Sequence, residues 1–218
     1  LPLSVATTTL TGTTGNDILN APGSVTTTVA GLAGNDTITL ALTNDVAQAG
    51  AGNDSIYLNA TGNGRQTVSG GAGNDTVSIA AGQTGYSGLL NLNDGNDLYD
   101  NSTQVVNGSI GGNAGLDTIA LTGGSLNSLI GGGSKADSLS LTAGTNTYSS
   151  IFGGAGKDTI NLAAGTFELS TVQASDGHDV ILASNSTFTN VVVAGGRGYD
   201  SILIGTQATT TVAGGSGN

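Results

Sequence analysis

Ten aspartates return along the chain at near-constant spacing: Asp17, Asp36, Asp54, Asp75, Asp97, Asp117, Asp137, Asp158, Asp179 and Asp200. Glycine stands two residues before nine of them, and Lys135 replaces it once. A hard cation takes roughly six to eight oxygens at about 2.3–2.6 Å, from carboxylates, carbonyls and water. Glycine permits φ > 0 and lets backbone carbonyls converge on one point. A glycine turn closing on aspartate can therefore contribute oxygens of both kinds to a cation. The competing reading is structural: aspartate accepts hydrogen bonds from turn amides and is favoured in turns for that alone. The number of copies and the net charge of −11 favour the cation.

Catalytic chemistry finds little support. His178 is the lone histidine, cysteine is absent, and no Ser-His-Asp set, phosphate loop or zinc-ligand cluster is visible. The acids outside the row are Asp45, Asp94, Asp100, Asp176 and Glu168. Asp94 and Asp176 stand three residues before row aspartates and could enrich those sites. A carboxylate pair can also serve glycoside hydrolysis, but a solvated or cation-near turn is the simpler reading. Tyr57, Tyr86, Tyr99, Tyr148 and Tyr199 form no defensible sugar-binding stripe. The expectation is a protein that is not an enzyme.

The elements that hold the row follow from the aliphatic pattern. Seven residues before each aspartate stands an apolar residue, among them Val29, Val68, Leu90, Ile110, Ile130, Ile151, Val172 and Val193. Two and four residues after it come further apolar columns, with Ile38 and Leu40, Ile56 and Leu58, and Leu139 and Leu141 as examples. Positions two apart share one strand face. Thr37, Ser55, Thr76, Thr118, Ser138, Thr159 and Ser201 fall between and point outward. Helical periodicity is missing. The pattern predicts an all-β, parallel β-solenoid of 10–11 coils, about 20 residues each, with two short strands per coil and stacked Val, Ile and Leu columns inside. At about 4.8 Å per coil the rod would be about 50 Å long. Tyr99 and Asn101 fall in core columns, so the coil after Asp97 reads as a local defect or bend. Residues 1–218 read as one domain, a segment of a longer chain being the alternative.

Gly70–Asp75 (GGAGND), Gly153–Asp158 (GGAGKD) and Gly195–Asp200 (GGRGYD) resemble the calcium-binding loops of RTX, or haemolysin-type, β-roll proteins. Gly15-Asn16-Asp17, Gly34-Asn35-Asp36 and Gly52-Asn53-Asp54 are similar but shorter matches. The resemblance implies several calcium ions held between successive loops. It assigns ligation to Asp17, Asp36, Asp54, Asp75, Asp97, Asp117, Asp158, Asp179 and Asp200, with carbonyls near Gly15, Gly34, Gly52, Gly71, Gly73, Gly154, Gly156, Gly196 and Gly198. Asp137 ranks last, because the Lys135 ammonium could neutralise it; Lys157 and Arg197 could act likewise. Better sites are expected where Asn precedes Asp five times running, from Asn16 to Asn96. One loop per coil, rather than two, places calcium along one edge. That one-sided arrangement is similar to ice-binding RTX-type adhesins, but the position three before Asp is mostly alanine here, not threonine, which argues against ice.

Composition bounds the partners. Charged residues are 9%, aromatics 4%, and only Arg65, Lys135, Lys157 and Arg197 are basic, so no nucleic-acid footprint exists. No run of about 18 apolar residues is present to span a membrane. The expected role is a secreted, cell-surface structural protein in a surface layer, sheath or filament. A repeat segment of an adhesin is the alternative, and a polysaccharide-active solenoid enzyme ranks third. Self-association head to tail is expected, because Gly214–Asn218 (GGSGN) stops where an aspartate would follow and lacks a cap; Leu1-Pro2-Leu3 reads as a modest cap. Cell-surface polysaccharide is a further candidate partner.

Overall fold

The computed structural model describes residues 7–59, 63–80, 85–101, 106–122, 125–142, 144–205 and 207–217. The proposed cap at Leu1–Leu3, Gly82 and Gly124, which the repeat assigns to the turn opposite the aspartates, and Asn218 lie outside the described residues. Every strand pairing is parallel and no helix forms among the described residues. The chain winds into a β-solenoid of about 9 turns with about 21 residues per turn.

Two sheets run the length of the solenoid. One stacks the strands that precede each aspartate, from Thr7–Thr11 through Thr67–Ala72 and Ser150–Gly156 to Gln207–Ser216. The other stacks the strands that follow it, from Ile18–Asn20 through Thr76–Ile79 and Ser138–Thr142 to Ser201–Ile204. Register never slips in the second sheet. Leu19 pairs with Ile38, Ile38 with Ile56, Ile56 with Val77, and so on through Ile160, Ile181 and Ile202. Register is fixed because a shift of one residue would carry every aliphatic side chain to the solvent face.

The core is the set of columns read from the sequence. Val29, Val68, Leu90, Ile110, Ile130, Ile151, Val172 and Val193 are buried, as are Ile38, Ile56, Val77, Ile119, Leu139, Ile160 and Ile181. Each such side chain stabilises by roughly 1.5–3 kcal/mol when fully buried. No coil buries its apolar face without its neighbours, so the stack forms as one body.

Two expectations change. The coil after Asp97 is neither a defect nor a bend. Leu98–Asn101 pairs in register with the strands on both sides, and Tyr99 and Asn101 are buried. Their polar atoms satisfy one another, Asn101 Nδ2 donating to Tyr99 Oη at 3.3 Å. Coils also hold more than two strands where length allows. The steps between Asp17, Asp36 and Asp54 are 19 and 18 residues; later steps are 20 to 22. The extra residues build a third, short parallel face: Thr145–Thr147 pairs with Thr166–Glu168, which pairs with the start of Thr187–Arg197. Phe167 and Phe188 pack inside it, tilted by 55° with ring centroids 5.4 Å apart.

Candidate metal centre

Each row aspartate closes the turn that leaves the first sheet and stands immediately before a strand of the second. Its side chain points inward. From Asp36 to Asp179 the row aspartates are 1–2% exposed. Desolvating a carboxylate is costly unless it is hydrogen-bonded or paired, so the fate of each oxygen decides what the row can do.

Oδ1 is satisfied by the coil before. The backbone N–H of Asp17 donates to Asp36 Oδ1 at 2.8 Å, that of Asp36 to Asp54 at 2.7 Å, and that of Asp75 to Asp97 at 2.7 Å. The pattern continues without a break to Asp179 donating to Asp200 at 3.0 Å. The same aspartates' carbonyls accept the next coil's N–H, as Thr37 to Asp17 at 2.9 Å and Ser55 to Asp36 at 2.8 Å. This is the structural reading of the row, and it holds for one oxygen of each carboxylate.

Oδ2 is different. In Asp36, Asp54, Asp75, Asp97, Asp117, Asp137, Asp158, Asp179 and Asp200 it is buried and has no hydrogen-bond partner. Where glycine stands five residues before the aspartate, a Cβ there would collide with this oxygen and with a carbonyl of the following coil. For Gly132 the two are Asp137 Oδ2 and the Gly153 carbonyl, at 2.5 and 2.6 Å; for Gly153 they are Asp158 Oδ2 and the Ala174 carbonyl, at the same distances. The glycine is thus needed for close packing against this carboxylate, and Oδ2 itself is left with no donor. A buried carboxylate oxygen without a donor calls for a cation, and oxygen ligands suit calcium. Asp17 departs from the pattern: its Oδ2 accepts from Thr13 N at 2.6 Å and Thr13 Oγ1 at 2.9 Å.

The electrostatics say the same. Burial lifts the Asp75 and Asp137 carboxyls to about 7 and those of Asp117 and Asp158 to about 6. The backbone N–H to Oδ1 opposes the rise, and neighbouring row carboxylates add to it. Asp54, Asp97 and Asp179 are raised for the same first reason. A charge the fold makes costly to ionise is one that a bound cation would stabilise.

The carbonyls that a Cβ on the glycine five before Asp would meet belong to the same position in the next coil, such as Gly153 and Ala174. The Gly15, Gly34, Gly52 and Gly73 carbonyls run along the axis into the next coil's turn glycine, where a Cβ would meet them. That contact, and the positive φ of Gly34, Gly52 and Gly73, explains glycine two before Asp. Lys135 takes the same left-handed conformation, at φ 87°. It makes no ion pair with Asp137. The one salt bridge among the described residues joins Arg197 to Asp176 at 3.7 Å, both side chains mostly exposed. Asp94 is exposed too, so neither acid is buried with the row, although the Asp94 charge acts on Asp97 and that of Asp176 on Asp179, each adding to the rise that burial gives its neighbour's carboxyl.

Three features were not foreseen. The asparagines before Asp form their own ladder outside the carboxylates. Asn35 N donates to Asn16 Oδ1, Asn53 N to Asn35, Asn74 N to Asn53, Asn96 N to Asn74 and Leu116 N to Asn96, all at 2.7–2.9 Å. The run of Asn therefore reflects turn hydrogen bonding. His178 takes the same part, its Nδ1 accepting from Tyr199 N at 2.8 Å while the rings stack. Asp45 is not a solvated turn residue: it is fully buried and caps the opposite turn, accepting from Thr27, Ala41 and Leu42 N–H groups.

A family model of the RTX calcium-binding nonapeptide repeat matches residues 7–21, 26–56, 42–60, 61–78 and 131–166. These segments contain Asp17, Asp36, Asp54, Asp75, Asp137 and Asp158. Asp97, Asp117, Asp179 and Asp200 lie outside them, yet the structure places all four in the same row by the same hydrogen bond. No curated protein and no solved structure was similar enough to add to this match. Calcium-binding repeats of this kind imply multiple calcium ions.

Proposed function

From the premise that this chain carries RTX calcium-binding repeats, we propose that it is an extracellular structural protein whose solenoid is completed by calcium along the aspartate edge. The observation that carries this reading is the row of nine donorless Oδ2 atoms buried inside the turns. Asp36, Asp54, Asp75, Asp97, Asp117, Asp137, Asp158, Asp179 and Asp200 would hold the ions through these oxygens, with facing backbone carbonyls; Asp17 is less suited, because Thr13 occupies its second oxygen. Calcium supplies compensating charge and coordination there; the fold supplies the spacing, the exclusion of water and the second oxygen.

A stack whose buried charge needs calcium folds best where calcium is abundant, and extracellular modules work with dissociation constants of about 10⁻⁴–10⁻³ M. This supports secretion and a place at the cell surface. A uniform rod with outward Thr and Ser supports a load-bearing role in a surface layer, sheath or filament, built by head-to-tail contact of copies. The second reading, a spacer segment of an adhesin that contacts surface polysaccharide, uses the same rod. Electron microscopy of the protein at high concentration in millimolar calcium separates them. Regular filaments or sheets support the structural reading; monomers alone overturn it in favour of the spacer.

A further inference from the structure

Four places in the chain put glycine directly after asparagine or aspartate: Asn63-Gly64, Asp94-Gly95, Asn107-Gly108 and Asp176-Gly177. The backbone treats them differently. Asn63-Gly64 is a strand paired with Gly85-Tyr86. Asp176-Gly177 ends the strand Thr171–Gly177 and pairs with Ala155 and Gly156. Gly95 donates its N–H to the Ala114 carbonyl at 2.8 Å. Asn107-Gly108 instead lies between the isolated bridge at Val106 and the strand Ser109–Ala114. The amides on either side are bonded to the preceding coil, Asn107 N to the Tyr86 carbonyl at 2.7 Å and Ser109 N to the Gly88 carbonyl at 3.0 Å. Between them, the Gly108 N–H has no hydrogen-bond partner among the described residues, and neither has the exposed Asn107 side chain. Stacking itself requires the glycine, because a Cβ at Gly108 would collide with the Gly88 carbonyl.

We propose that Asn107 is a site of spontaneous deamidation in the folded chain, and that this corner is where the solenoid ages. The Gly108 nitrogen gives up its proton to solvent base and attacks the side-chain carbonyl carbon of Asn107. The bond from that carbon to the amide nitrogen breaks, ammonia leaves and a five-membered succinimide forms. Water then opens the ring at either carbonyl, leaving aspartate or isoaspartate. Glycine leaves the attack unhindered, since it carries no side chain. A hydrogen-bonded amide must break its bond before its nitrogen can turn on the side chain; the Gly108 amide need not. Isoaspartate routes the main chain through the former side-chain methylene, so one atom is added between Asn107 N and Ser109 N. Their bonds to Tyr86 and Gly88 then cannot both keep good geometry. The coil loosens where Tyr86, Val106 and Leu126 stack.

The test is prolonged incubation at mildly alkaline pH, folded and in urea, followed by tryptic digestion and tandem mass spectrometry. Cleavage after Arg65 and Lys135 puts Asn63 and Asn107 in separate fragments. Replacement of NH2 by OH is read as a mass gain, and isoaspartate by enzymatic isoaspartyl methylation. In the folded chain the gain is expected several-fold faster at Asn107 than at Asn63; in urea the two should react at similar rates. The Tm of the folded wild type should fall as isoaspartate accumulates. Asn107→Gln, whose longer side chain would have to close a six-membered ring, should show no gain at this position and a constant Tm. An Asn107 that reacts in urea but not in the folded chain overturns the proposal, as do equal folded rates at Asn63 and Asn107. An equal fall of Tm in Asn107→Gln overturns the link between this site and ageing.

Discussion

The backbone N–H of Asp137 donates to Oδ1 of Asp158, 2.8 Å away in the next coil, and the other oxygen of Asp158 has no donor at all. One carboxylate thus has two fates. Its first oxygen is part of the solenoid's hydrogen-bond ladder, and its second is an uncompensated acceptor in a dry turn. Stacking and cation binding are written into the same residue.

Without calcium, stability falls as pH rises. The Asp75 and Asp137 carboxyls sit at about 7, and those of Asp117 and Asp158 at about 6, against 3.8 in an unperturbed chain. The folded state therefore binds more protons than the unfolded state between about pH 4 and 7. This contribution is complete below the unfolded value and is lost as pH passes through the folded values. Thermal melts in chelator from pH 4 to 8 should show Tm declining across that window. In saturating calcium the decline should vanish or reverse, since the cation favours the ionised form.

Asp117 separates the two oxygens by mutation. Asp117→Ala removes the acceptor of the Asp97 N–H and leaves that buried donor unpaired, at a cost of roughly 1–3 kcal/mol with or without calcium. Asp117→Asn keeps an Oδ1 acceptor and turns the donorless oxygen into a donor facing the Gly132 carbonyl. In chelator it should equal or exceed the wild type in stability; in calcium it should fall below it. Paired melts of both variants in the two conditions check this.

Lys135 tests the turn itself. It holds φ 87° where other coils have glycine, a conformation that costs a side-chain-bearing residue roughly 1–2 kcal/mol. Lys135→Gly should stabilise the chain by about 1 kcal/mol in urea unfolding. Were Lys135 the neutralising partner of Asp137, the same change would destabilise it.

The outer asparagine ladder breaks at Leu116, an exposed side chain that accepts nothing. Leu116→Asn should extend the ladder by offering Oδ1 to the next coil's amide. A gain of about 0.5–1.5 kcal/mol is expected from one added hydrogen bond, and amide hydrogen exchange at Ala136 should slow. Unchanged exchange at Ala136 would mean that the ladder does not propagate.

Most of the fold was legible because its period is carried by side chains that must face inward. Val29, Ile38 and Leu40 repeat at fixed offsets, and period-two alternation assigns them to strands. The third face was not legible, because it comes from turn length and not from a motif; only Phe167 and Phe188, one coil apart, marked it. The carboxylate row was legible as a row, but not its split into a bonded and a bare oxygen, which depends on where the next coil's backbone lands. Asp45 looked like any turn acid, since nothing local shows that three N–H groups converge on it. The asparagine ladder was not legible either, because it depends on the neighbouring turn's N–H reaching each Asn Oδ1.

The central claim is that buried Oδ2 atoms make calcium part of the fold. Its most direct test is the melt of the wild-type chain at pH 7.5, followed by far-ultraviolet circular dichroism, before chelation, after it, and after calcium is restored. The account predicts that chelation weakens the β signal or lowers Tm markedly, and that calcium restores both. An identical spectrum and Tm in all three states would contradict it.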